Sequence, residues 1–388
     1  MKKLILGLTL TSVLFSGCGN DDTADIIINI NGDTGSTDAI ELTGNQSADL
    51  TLEAGNEYIV TGPLIMESGT TLTVPAGMTV KAAATGADVY IAIAQGAQII
   101  ADGTSSNPIV FTSAATTPNA GDWGGLILLG NAPINSVTGG NATSTSEIAS
   151  LPYGGSATDD NSGILRYVRV EYSGGKADGQ SENNGFSFYG VGNGTTVEYI
   201  QAFAGKDDGI EFFGGTVNAS FVAVLNSEDD SVDWTEGYTG TLTDVYIKHG
   251  TDHDKGIEAD GFNTDIGNNS DPLYFSKPTV TNITIIGLGS GTGNEAVRLR
   301  AGTQGIFSNV FIQGFEEAFD VDGDDGDSPT GTGVTNGDLS VTNSNFVDII
   351  TVLKNDTGVA FDQSDFITGT TDAPGTDFSN WGAGWTRQ

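Results

Sequence analysis

The sequence predicts an all-β chain wound as a right-handed parallel β-helix, behind an export signal and a short tether. Three observations predict it. A short strand pattern recurs at a minimal spacing of about 22 residues, apolar and polar side chains alternate at period two, and helical periodicity is essentially absent. Composition agrees, because 56 glycines accompany charged residues that make up only 16% of the chain, as in a protein of strands and turns.

The chain opens with Lys2 and Lys3, followed by an apolar run from Leu4 to Phe15 that is too short to span a bilayer. Residues 1–17 are expected to be a cleaved signal. Leu14-Phe15-Ser16-Gly17-Cys18 closes it and resembles the lipobox of bacterial lipoproteins. That resemblance implies lipidation at Cys18 and a membrane partner. The acidic cluster just after it, with Asp21, Asp22 and Asp25, resembles the export tags of outer-surface lipoproteins, which implies an outer-membrane location exposed at the cell surface. Cys18 is the only cysteine, so no internal disulfide forms and stability must come from packing. Residues 18–38, rich in Asp and small residues, are expected to be a flexible acidic tether in which only Ile26 to Ile30 has strand character.

Removing residues 1–17 deletes two lysines and no acid, which takes the formal charge from −36 to −38. Such a field repels nucleic acid and anionic lipid, and favours cations or neutral, hydroxyl-rich ligands. Only two histidines are present, which argues against a His-rich transition-metal centre. No phosphate-binding loop and no nucleophile elbow occurs.

Residues 39–388 are expected to form one elongated repeat domain, since no composition break divides them. One strand set begins at Tyr167, Tyr199, Phe221, Asp244, Asn282 and Asn309; for example Tyr167-Val168-Arg169-Val170 and Asn309-Val310-Phe311-Ile312. A second set lies in the same coils, with Ile210, Val232, Ile257, Val297 and Phe319 as inward positions. Upstream, Gly69 to Val80 and Gly96 to Thr104 are strand, glycine turn, strand units. These units resemble the first coils of the pectate-lyase-like superfamily of parallel β-helices. Gly121-Asp122-Trp123-Gly124-Gly125 is similar to a motif of secreted β-helix proteins, which implies a fold but no activity. A β-propeller is disfavoured because one blade needs about 40 residues.

Equivalent positions of successive coils stack about 4.8 Å apart, so residues scattered in sequence form ladders. One outward ladder is Ser187, Glu211, Asp233, Glu258, Arg298, Asp320, and its neighbour is Tyr189, Phe213, Thr235, Asp260, Arg300, Asp322. Glu211, Asp233, Glu258 and Phe213 are candidate ligand-binding residues, with Phe213, Tyr189 and Tyr238 read as exposed rings for sugars; Trp234 falls on the inward register. A plain solvated acidic face with Arg298 and Arg300 as counterions fits the same pattern.

Asp207-Asp208-Gly209, Asp229-Asp230-Ser231 and Arg298-Leu299-Arg300 resemble the acid motifs and basic pair of polygalacturonase-type glycoside hydrolases. The resemblance implies acid and base work for Asp208, Asp229 and Asp230, and a substrate carboxylate held by Arg298 and Arg300. The chain departs from that family where Lys255 stands in place of a histidine. Relatives that are lyases use calcium with a basic residue as proton acceptor, which would make Lys255, Arg298 or Arg300 the base. Asp320, Asp322, Asp324, Asp325 and Asp327 cluster oxygen ligands of the kind Ca²⁺ takes. Three functions therefore stand open: calcium-assisted polysaccharide binding, glycan cleavage, and a structural or adhesive surface role.

Overall fold

Seven successive strands of the repeat bend at a residue in the left-handed region. Tyr167, Tyr199, Phe221, Asp244, Asn282, Asn309 and Asn343 have φ between 49° and 58°. That conformation costs about 1–2 kcal/mol for a residue with a Cβ, and the stacked side chains offset it. Tyr167 lies over Tyr199 and Tyr199 over Phe221, with ring centroids 4.3 and 4.2 Å apart. Further along, Asn309 Nδ2 donates to Asn282 Oδ1 at 2.8 Å and Asn282 Nδ2 to Asp244 Oδ1 at 3.3 Å. The sequence reading takes the first six of these residues as strand starts; they are corners inside longer strands.

The computed structural model describes residues 39–136, 143–176, 183–264, 272–323 and 329–388. Cys18, the tether, Asp324, Asp325 and Asp327 lie outside the described residues. No described helix is long and apolar enough to cross a membrane.

The bent strands Gly163–Glu171, Thr196–Phe203, Ala219–Leu225, Thr241–Lys248 and Thr279–Ile286 pair in parallel, each with the next coil. After a turn, the chain lays down a second parallel set: Phe186–Tyr189, Ile210–Phe213, Val232–Thr235, Ile257–Asp260 and Glu295–Arg300. The strands Gly305–Asp322 and Leu339–Asp356 run through both faces without a break. Upstream, Thr71–Val74 pairs with Gln98–Asp102, and Thr79–Ala82 with Ile109–Ser113, as the strand and glycine-turn units predict. The fold is a right-handed parallel β-helix.

Its core is a column of inward ladders. Ile210, Val232, Ile257, Val297 and Phe319 are all at most 1% exposed, and full burial of such side chains contributes about 1.5–3 kcal/mol each. Phe212 stacks between Phe188 at 5.2 Å and Tyr238 at 4.4 Å. Trp123 is buried and its Nε1 donates to Glu171 O at 2.8 Å, tying its motif to the bent-strand face. Gly125 beside it has φ +136°, and a Cβ there would meet Asn184 O at 2.0 Å, so only glycine lets the strand Leu126–Leu129 reach the next coil.

The C-terminal segment runs back along the outside of the bent strands, toward the earlier coils. Phe378 stacks on Tyr246 at 3.9 Å, Trp381 meets Phe221 at 5.7 Å, and Trp385 meets Tyr167 at 5.5 Å. Arg387 ends the segment on Glu171 at 2.9 Å.

Candidate functional site

The turn preceding each strand of the second set carries two polar residues, and three such turns stack. Asp207-Asp208, Asp229-Asp230 and Asp254-Lys255 are held in register by Gly209 N to Asp230 O at 3.0 Å, Ser231 N to Lys255 O at 3.0 Å and Asp254 N to Asp229 O at 3.2 Å. Side chains reinforce the stacking: Asp208 Oδ1 accepts from Asp230 N at 3.0 Å, and Asp230 Oδ1 accepts from Lys255 N at 2.7 Å. The strands that follow place Glu211, Asp233, Glu258, Arg298 and Asp320 side by side in successive coils, as the repeat predicts.

Turns and strands together line one open cleft of about 460 Å³. It holds Asp208, Asp229, Asp230, Lys255, Arg298 and Arg300, the six residues that the polygalacturonase and lyase resemblances single out. Glu211, Asp233 and Glu258 lie in the same cleft. Asp207, Asp254, Asn184 and Glu147 also line it. The repeated polar pair before each strand signals the first three; Glu147 comes from the hairpin Ser144–Thr145 with Pro152–Tyr153, which no repeat announces.

Burial, and then neighbouring carboxylates, push the acids of Asp208, Glu211, Asp230 and Asp233 well above the usual carboxylate range. Asp208 feels chiefly Asp230, Glu211 feels Asp233, and Asp230 and Asp233 both feel Glu258. Asn184 Nδ2 donates to Glu211 at 2.6 Å and partly opposes the rise.

The cations are held. Lys255 Nζ sits 2.6 Å from Asp254 and 3.1 Å from Glu258; Arg300 bonds Glu258 and Asp260, and Arg298 bonds Asp322 at 2.9 Å. Burial works against charge on all three, yet their acidic partners raise each pKa. A lyase base needs the opposite shift.

Carboxylate oxygens of Asp208, Glu211 and Asp233 lie within 4.8 Å of one another, and so do those of Asp230, Asp233 and Glu258. Such groups can hold a metal ion. The sequence groups Asp320 and Asp322 in an acidic loop with Asp324, Asp325 and Asp327. In the structure both lie at the end of the strand Gly305–Asp322 and are ion-paired, Asp320 with Lys354 at 3.1 Å and Asp322 with Arg298. Asp320 groups instead with Glu295 and Glu317.

Phe213 is not a sugar-stacking platform. It is 2% exposed, stacked on Tyr189 at 3.9 Å, in a second small core with Ile127, Ile134 and Tyr153. Tyr189 and Tyr238 are likewise buried, and Trp234 is core as its register predicts. His249 packs against His253 and Phe315, and burial pushes its pKa down to about 3, so it is neutral and no proton donor to the cleft.

No curated protein matches the chain. Among solved structures, similar ones include the catalytic unit of a thermostable GH87 α-1,3-glucanase from Streptomyces thermodiastaticus strain HF3-3, at 11% identity and TM-score 0.33. Another is the catalytic domain of a GH87 α-1,3-glucanase variant in complex with nigerose, at 10% identity and TM-score 0.32. Each match covers 86% of this chain and 65% or 64% of the other. Residues 44–386 match the pectate-lyase-like β-helix domain, and the chain belongs to that family.

Proposed function

We propose that the acidic cleft binds polysaccharide, on a β-helix carried at the cell surface by a lipid anchor at Cys18. The observation that supports this best is the set of carboxylates fixed by the backbone itself. Asp208 and Asp230 each commit one oxygen to a backbone N–H of the next coil and face the cleft with the other. Oxygens held in this way accept sugar hydroxyls without first being ordered, so little conformational entropy is lost on binding. Ca²⁺ suits the same donors, since it takes six to eight oxygens, and Asp208, Glu211, Asp230, Asp233 and Glu258 would hold it. Its charge would offset the burial and crowding that raise the pKa values of Asp208, Glu211, Asp230 and Asp233.

Glycan cleavage is the second reading, favoured by those same raised carboxyl groups, any of which can serve as a general acid. Within each cluster the oxygens lie within 4.8 Å of one another, closer than the roughly 6.5–9.5 Å of an inverting pair, so an inverting acid and base would have to come from different clusters.

Wild type and Asp230→Asn should be compared on a polysaccharide array and for release of reducing ends, each with calcium and with chelator. Binding without new ends, reduced in the variant, is the expected result; ends released by wild type alone would make the protein an enzyme. For the anchor, Cys18→Ser should release the processed protein from the membrane fraction.

A further inference from the structure

The cleft holds far more acidic groups than hydrogen-bonding to neutral hydroxyls requires. Nine carboxylates line it against Lys255, Arg298 and Arg300, and each of those cations is already ion-paired with acids of its own. Lys176 reaches the rim only to meet Asp207 at 3.4 Å and Asp229 at 3.7 Å. A uronate polymer would therefore meet net repulsion.

The oxygens left over point to what would bind. Asp208 and Asp230 are more than nine-tenths buried, and the second oxygen of each accepts no hydrogen bond among the described residues. Asp233 Oδ1 is sealed from solvent and has no donor either. Carboxylates within 4.8 Å of one another with acceptors unfilled call for a group that brings both positive charge and several N–H donors. Hydroxyl groups bring no charge, whereas an ammonium brings three donors and makes hydrogen bonds about twice as strong.

We infer that the cleft takes a polysaccharide bearing protonated amino groups, whose ammonium groups seat between Asp208, Asp230 and Asp233. The inference deepens the polysaccharide reading and rests on it. Coils repeat about every 4.8 Å, close to the length of one sugar unit, so a chain lying along the helix axis advances about one unit per coil. An N-acetylated polymer has the same shape but offers one neutral N–H in place of the charge.

Isothermal titration of the full-length protein with a glucosamine hexamer, its fully N-acetylated counterpart, an oligogalacturonate and hexalysine tests this. The free amine form should bind at least about tenfold tighter than the acetylated form, a difference of about 1.4 kcal/mol. Oligogalacturonate should not bind, and calcium should compete. Asp233→Asn should weaken the amine hexamer while leaving thermal unfolding cooperative. If the acetylated form binds equally well, the free-amine requirement falls and the polysaccharide reading stands. If no saccharide binds, both fall. Hexalysine binding as tightly as the amine hexamer, or Asp233→Asn binding as wild type does, would overturn the inference by showing a non-sugar ligand or a different site.

Discussion

Arg300 reaches back one coil to hold Glu258, with Nη2 at 2.5 Å from Oε2, and the same guanidinium holds Asp260 through Nε at 2.6 Å. Both carboxylates are at least nine-tenths buried. A planar fork that grips two acids of the preceding coil ties the two neighbouring outward ladders together, which isolated surface pairs do not do.

Removing that fork leaves Glu258 with Lys255 at 3.1 Å and takes a positive charge away from the buried Asp260. Arg300→Ala should therefore cost about 2–4 kcal/mol of stability, whereas Arg300→Lys, which keeps the charge but not the two-pronged geometry, should lose about half of that. Denaturant titration gives both numbers. Equal stability in all three proteins would mean that Glu258 and Asp260 find other partners.

Acid should stabilise this protein, contrary to the usual trend. Asp208, Glu211, Asp230 and Asp233 have pKa values raised on folding, so the folded state holds protons that the unfolded chain has lost. Their contribution is present below the ordinary carboxylate value and is lost as pH rises through the raised values. Melting temperature should fall between about pH 4 and neutrality, and Asp233→Asn should flatten the slope. A melting temperature that climbs over that range in wild type contradicts the shifts.

Phe212 tests the column of inward ladders. With rings on both sides, Phe212→Ala leaves a cavity that the two neighbours cannot close, at about 3–5 kcal/mol. Thr243→Ala, on the outer face of the bent strands, should change stability by less than about 0.5 kcal/mol. Similar losses at both positions would contradict the register.

The ladder from Ser187 to Asp320 was legible because a coil repeat converts sequence spacing into spatial neighbours. The corners were less so: Tyr167 and Asn309 take the same left-handed φ, and hydropathy does not distinguish a corner from a strand start. Phe213 was misread for another reason. Its alternation points outward correctly, but Ile134, Ile148 and Tyr153 pack in one cluster with it, and nothing local to Phe213 encodes that cover. Cys18 and the acidic residues Asp324, Asp325 and Asp327 lie outside the described residues.

Least legible was the C-terminal segment, whose contacts lie as far away in sequence as Arg169 Nη1 to Trp385 O at 2.6 Å and Arg387 Nη1 to Glu171 at 2.9 Å. Gln201 fastens the same end twice, donating to Arg387 O and accepting from Arg387 N, both at 2.7 Å. Trp385 is fully buried against Tyr167 and Tyr199, so the segment covers aromatic corners that would otherwise face water. A strap bonded to several coils resists the opening of any one of them, whereas neighbouring coils alone hold each other only pairwise. Truncation after Asp377 should therefore lower the melting temperature and raise binding of a hydrophobic dye. Trp385→Ala alone should cost about 3 kcal/mol. The cleft lies on the other strand set, so the truncated protein should retain its ligand at temperatures well below its melting point. Unchanged melting after truncation would show that the aromatic corners are stable uncovered; loss of ligand without loss of fold would show that the strap reaches the cleft through the coils.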